Sequence, residues 1–199
     1  RASQADGVTA PVVAIASYPY GHIDPEPVRL LEARGARLVW NPHPRKLVRA
    51  ELIELLDGAS AVVASTEPYD AEVFAANPQL RLVARTGVGL DSVDLDAARA
   101  PGVAVSSTPD GPADSVAELV IGLAVCLARH VGPADRGLRK GDWNRLTGWL
   151  LKARTIGIVG FGRIGTRVAR LLAPFGCTVV ATDIDPSVAG VAQELGVEL

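Results

Sequence analysis

Three glycines stand close together in Gly160-Phe161-Gly162-Arg163-Ile164-Gly165, between the apolar run TIGIV and a helical pattern. The chemistry open to such a turn is the binding of a pyrophosphate. Gly160 permits the tight turn, Gly162 has no side chain to stand in the anion's way, and Gly165 lets the helix approach the strand closely. The helix N-terminus adds unpaired amides and a partial positive charge. Asp183 follows 18 positions beyond Gly165, at the end of the next apolar run. A carboxylate there can accept hydrogen bonds from both hydroxyls of an adenosine ribose and would repel a 2′-phosphate, which favours NAD over NADP. The alternative for these residues is a structural strand, turn and helix that binds nothing.

The elements that must hold this turn are legible around it. A helix from Thr166 to Ala173 stops at Pro174 and Gly176, and Cys177 to Thr182 reads as the next strand. Upstream, VVAIAS, ARLVWN, AVVAST and RLVART alternate with helical patterns, as in βαβ units and a parallel sheet. Pro25 and Pro27 mark one helix start, Gly35 and Gly58 two ends, Pro78 a stop after Asn77, and Asp94 an N-cap. Residues from about 9 to 107 read as one open, doubly wound α/β domain.

The turn-rich SSTPDGPAD reads as a hinge. Ser115 and Glu118 have capping-box spacing at the start of SVAELVIGLAVCLARH. That helix is apolar nearly all round until Arg129, so it must pack between layers, domains or subunits, and an interface is the preferred site. The following GPADRGLRKGDWNRLTGWLLKAR reads as irregular, with one helical piece near Ala134 to Arg139.

Composition narrows the function. With 199 residues and 48% hydrophobic content the chain can build a core. Its 20 basic and 22 acidic residues give a net charge of -2 with no like-charged run, which argues against nucleic acid as a partner. The two cysteines, Cys126 and Cys177, imply no disulfide framework and read as buried thiols, fitting a cytoplasmic setting. Leu119 to Ala128 is too short to span a membrane and RASQADG lacks signal-peptide order, so neither membrane nor export is expected. No metal site is expected.

RTGVGLDSVDLDAARAPGVAVSSTP, DSVAELVIGLAVCLAR, KGDWNR and TIGIVGFGRIG follow one another in that order. Together they resemble the D-isomer-specific 2-hydroxyacid dehydrogenase family, specifically its phosphoglycerate-dehydrogenase-like members, over almost the whole chain. SYPYGHIDPEPVRLLEARG and ASTEPYDAEVF add a likeness to one subgroup whose substrates are poorly defined. The resemblance implies a flavodoxin-like substrate domain, its N-terminal part at 1–108, followed at 109–199 by the first half of an inserted Rossmann NAD-binding domain. It implies hydride transfer between NAD and a small D-2-hydroxy acid or its 2-keto partner. By position, Arg163 and Ile164 would contact the pyrophosphate, Asp183 would hold the adenosine ribose, and Val88 would approach the nicotinamide end. Gly87, Val88 and Gly89 would offer backbone amides to a substrate carboxylate. Arg85 is a candidate for substrate or interface charge, with a surface ion pair as its alternative. A homodimer through the Ser115 to His130 helix is expected.

Two departures bear on the substrate and the hinge. Ala64 precedes Ser65 where phosphoglycerate-specific members carry an arginine, which removes a phosphate partner and speaks against 3-phosphoglycerate. Ser107 and Pro112 replace asparagines frequent in the family's hinge. The family's proton-exchanging histidine, its orienting glutamate and its carboxylate-clamping arginine are all expected beyond Leu199, in a longer enzyme. His22, His43 and His130 read as surface or capping residues, with His22 the candidate for a substrate contact. Two alternatives remain: a non-catalytic nucleotide-binding or dimerisation module, and the same fold acting on formate or phosphite.

Overall fold

The structure, a computed structural model, describes residues 10–199, so the RASQADG opening lies outside the described residues. The chain divides into two compact units, one ending at Pro109 and the other comprising Asp110–Leu199.

In the first unit, β1 (Val12–Ile15), β2 (Arg37–Trp40), β3 (Ala61–Ala64), β4 (Leu82–Arg85) and β5 (Ala104–Ser106) form one parallel sheet. The strand order is β2-β1-β3-β4-β5. The connecting helices are α1 (Glu26–Ala33), α2 (Arg49–Leu55), α3 (Ala71–Ala76) and α4 (Leu95–Arg99). The chain first steps outward from β1 to β2, then crosses back and proceeds the other way. Right-handed crossovers therefore put α1 on one face and the other three helices on the opposite face. The core follows this division. Leu52, Leu55, Val73, Phe74 and Ala98 pack with Ala14, Val62 and Val83, whereas Val13, Ile15 and Val63 meet Leu31 on the far side. The alternation along β1 and β3 is the two-residue period of a strand. Asp94 caps α4 as expected, accepting from the amides of Asp96 and Ala97.

The second unit contains α5 (Ala113–Ala128), α6 (Val131–Arg139), β6 (Thr155–Val159), α7 (Arg163–Leu172), β7 (Thr178–Thr182) and α8 (Ala189–Glu194). β6 and β7 pair in parallel from Thr155↔Thr178 to Val159↔Thr182. The far side of β7 is engaged as well, with the Ala181 amide donating to the Glu198 carbonyl at 2.7 Å. Val168, Ala169 and Leu172 bury the inner face of α7 together with Ile156, Ile158, Val179 and Ala181, and α5 adds Ala117 and Ala128.

The structure corrects three expectations here. No capping box forms at Ser115 and Glu118: α5 opens at Ala113 behind Pro112, and the Ser115 hydroxyl, already in the first turn, donates to the Pro112 carbonyl at 2.9 Å. Proline's restricted φ prepares the backbone for that entry. The helical piece near Ala134 is longer, running from Val131. His130 turns the chain in the left-handed region at φ 54°, and Pro133 falls in the first turn, where its missing N–H breaks no intrahelical bond. Cys126 is exposed rather than buried, and Cys177 is half-buried. A helix apolar on every side does not announce which side will be covered. Here the covered side carries Ala117 and Ala128, while Leu119, Leu123 and Leu127 face outward with Cys126. Among the described residues no single helix is long and apolar enough to cross a membrane.

Candidate functional site

In the second unit the glycine turn joins the end of β6 to the start of α7. Gly160 takes φ 93°, and its amide donates to the Thr182 carbonyl at 2.8 Å, so the turn is tied to the end of β7. Phe161, 1% exposed, anchors the turn in the core. Gly162 is the N-cap in extended conformation, so α7 begins at Arg163 rather than Thr166. The Thr166 amide reaches back to the Gly162 carbonyl, and its hydroxyl to the Phe161 carbonyl, both at 3.0 Å. The amides of Arg163, Ile164 and Gly165 then have no intrahelical acceptor.

Imaginary Cβ atoms separate the roles of two glycines. At Gly165 the added carbon would stand 2.1 Å from the Gly160 carbonyl oxygen, so only glycine lets α7 seat on β6. At Gly162 it would meet nothing within 4 Å. The space beside the helix N-terminus is open, which is the shape a pyrophosphate needs.

Asp183 stands at the end of β7, facing this turn. Its carboxylate accepts from the Asp185 amide at 2.9 Å and from the Phe161 amide. These bonds, Asp185 first, hold its pKa below the usual aspartate value. The acid is thus fixed against the turn, charged at neutral pH. Arg163 is paired with Asp110 at 2.9 Å and Arg167 with Asp114, so the cations of the first α7 turns are already engaged. Ile164 is 37% exposed beside them.

In the first unit the carboxyl ends of β1, β3 and β4 lie together. The Thr86 amide and hydroxyl both donate to the Ala64 carbonyl, at 2.9 and 2.8 Å, which aligns the loops after β3 and β4. The loops are joined again where the Tyr69 amide donates to Ser92 and the Asp94 amide to Tyr69. Gly87 lies close over Arg85, its carbonyl accepting from the Thr108 amide at 2.9 Å. Val88 is 42% exposed, and beside Gly89 stands the Asp91 carboxylate.

Arg85 makes no ion pair among the described residues. Its Nη1 donates to the Thr86 carbonyl, and its Nε is buried without a partner among the described residues. Two residues that the sequence did not single out are buried in the loop after β3, Glu67 at 1% exposure and Tyr69 at 0%. Burial first, and then the Glu67 charge, raises the Tyr69 hydroxyl well above its ordinary pKa, with Arg85 acting in the opposite sense. No local pattern marks Glu67 as buried, because a glutamate in a Thr-Glu-Pro turn ordinarily faces water. The histidines stay apart. His22 meets Tyr18 edge-on at 5.1 Å, His43 faces Glu51 at 3.4 Å, and His130 precedes α6.

Comparison with known proteins agrees with these features. Residues 13–192 match the family model described as D-isomer specific 2-hydroxyacid dehydrogenase, catalytic domain. The D-3-phosphoglycerate dehydrogenase of Mycobacterium tuberculosis is 45% identical over 154 residues, covering 76% of this chain and 29% of that protein. The hydroxypyruvate reductase of Thermotoga maritima is 35% identical over 164 residues, covering 81% of this chain and 53% of the other. Among solved structures, the apo form of D-lactate dehydrogenase from Escherichia coli superimposes with TM-score 0.76 at 26% identity, over 94% of this chain and 58% of that one. The chain therefore spans between about a third and three fifths of these relatives' lengths. A parallel α/β unit, a second unit built on a glycine turn with a fixed acid beyond it, and a family match across both lead to one conclusion: the chain belongs to the D-isomer specific 2-hydroxyacid dehydrogenase family.

Proposed function

We propose that this chain forms part of an NAD-dependent dehydrogenase that interconverts a small D-2-hydroxy acid and its 2-keto partner. One observation carries the reading: the Asp183 carboxylate is fixed at the Phe161 amide beside the open space over Gly162. In this reading the free amides of Arg163, Ile164 and Gly165 hold the pyrophosphate. The remaining lone pairs of Asp183 accept from the adenosine ribose hydroxyls, and its charge refuses a 2′-phosphate. Bound there, NAD supplies the hydride acceptor and donor. In the first unit, the amides of Gly87, Val88 and Gly89 receive the substrate carboxylate, Arg85 adds its charge, and Val88 offers apolar surface to the reactants. The relatives support this assignment, among them an Entamoeba histolytica 3-phosphoglycerate dehydrogenase solved with NAD+ bound, with TM-score 0.74 and 25% identity over 88% of this chain and 55% of that one.

The outward Leu119, Leu123 and Leu127 of α5 supply the apolar surface for a homodimer, and the reading places the protein in the cytoplasm. Calorimetric titration with NAD and NADP tests the cofactor assignment. NAD should bind at least roughly tenfold more tightly than NADP, a difference of about 1.4 kcal/mol. Absence of NAD binding would overturn the reading.

A further inference from the structure

The Ala64–Ser65 peptide at the end of β3 fixes the side on which one buried charge lies. Its carbonyl points toward β4, where the Thr86 amide and hydroxyl donate to it. In a trans peptide the N–H points the opposite way, and the described residues contain no cis bond. The Ser65 amide is therefore directed toward β1, the other neighbour of β3, and it donates to Glu67 Oε2 at 2.9 Å. The loop leaving β1 runs along the same side, its Ser17 amide donating to the Val63 carbonyl at 3.2 Å. The Glu67 carboxylate thus sits between the carboxyl ends of β1 and β3, where the strand order reverses. Open α/β sheets bind their ligands in that crevice.

The carboxylate makes no other hydrogen bond among the described residues, so it has acceptor capacity left for a ligand. Two of the four nearby cations are held in ion pairs. Arg45 bonds Glu51 and Arg49 bonds Asp70, Arg85 is turned onto the Thr86 carbonyl on the β4 side, and Lys46, which makes no ion pair among the described residues, borders a hollow lined by Thr66, Pro68, Tyr69 and Asp70. Ala64 brings no charge. Tyr69, its hydroxyl buried without a partner among the described residues, adds a neutral group that feels the Glu67 charge.

We propose that Glu67 reads the end of the substrate remote from its carboxylate: the crevice accepts a short 2-hydroxy or 2-keto acid ending in an uncharged hydrogen-bond donor such as a hydroxyl, and rejects one ending in phosphate. The proposal rests on the dehydrogenase reading and narrows its substrate class. A terminal hydroxyl donates to the carboxylate, whereas a phosphate meets a like charge in a site of low dielectric.

The test measures kcat/KM of the full-length enzyme with NAD for D-glycerate and for 3-phospho-D-glycerate, in the wild type and in Glu67→Gln. The amide keeps an acceptor for Ser65 and removes the charge. The wild type should favour D-glycerate by at least tenfold, and Glu67→Gln should narrow that ratio roughly tenfold by raising the rate with the phosphorylated acid, leaving the KM for NAD unchanged. A wild type that prefers the phosphorylated acid overturns the proposal and leaves the dehydrogenase reading standing. An unchanged ratio in a Glu67→Gln enzyme with wild-type thermal midpoint overturns it in the same way. If that variant does not fold, the wild-type ratio decides alone. Failure of any 2-hydroxy acid to yield NADH, together with no NAD binding by calorimetry, overturns both.

Discussion

Replacing Gly162 and Gly165 separately by alanine should divide stability from ligand binding within a single turn. Ordinary contact begins at 3.4 Å, and the carbon added at Gly165 would stand 2.1 Å from a backbone oxygen, so α7 must retreat by about 1.3 Å. That movement loosens Val168, Ala169 and Leu172, which are 5%, 4% and 2% exposed. Overpacking against rigid backbone with partial loss of three buried contacts costs about 3 kcal/mol. At about 2–4 °C per kcal/mol for a chain of this size, Gly165→Ala should lower the thermal midpoint by about 6–12 °C. Gly162→Ala meets open space at φ -73°. The poorer N-cap and the stiffer unfolded chain nearly cancel, so its midpoint should stay within about 4 °C. Its methyl group nevertheless occupies the space assigned to the pyrophosphate, and NAD affinity should fall by roughly 100-fold, a loss of about 3 kcal/mol. Scanning calorimetry and NAD titration measure both quantities. A Gly165→Ala protein with wild-type midpoint, or a Gly162→Ala protein with wild-type NAD affinity, would refute the argument.

Asp183 has a folded-state pKa below its ordinary value, so its contribution to stability is present above about pH 4 and is lost as pH falls toward the lower folded pKa. Asp183→Asn should therefore lower the midpoint at neutral pH and flatten the loss of stability below about pH 4. Glu51, held by Arg45 and then by the Val48 amide, has its pKa lowered from 4.5 to about 2. Glu51→Gln should remove the stability that the wild type loses on acidification across that interval, read as midpoint against pH. Leu123 is 53% exposed, so Leu123→Asp should weaken self-association in sedimentation velocity while leaving the monomer folded. Unchanged self-association of a dimeric wild type would remove this face of α5 as its interface.

What could be read from the chain was what local chemistry determines. The alternation of strands and helices is periodic, and Gly160, Gly162 and Gly165 carry steric requirements that the structure bears out as a φ of 93°, an open space and a carbonyl only 2.1 Å from where a Cβ would stand. Asp94 could be named as a cap because capping is completed within three residues. The misreadings came from competition or from distance. Ser115 and Pro112 were rival entries to one helix, and the proline prevailed. Cys126 lies on a helix whose covered side is chosen by α7, far along the chain. Glu67 is buried although it stands in a Thr-Glu-Pro turn, and nothing in that turn foretells it.

The two amide bonds to Asp183 have a consequence for how a cofactor would be told from its phosphorylated counterpart. A side chain pinned at both oxygens has almost no rotamer freedom left to surrender, so recognition by it carries little entropic cost. It also cannot swing aside. On the proposed reading, a drift of this enzyme toward NADP requires loss of the carboxylate itself, because an immobile obstacle cannot be accommodated by small adjustments around it.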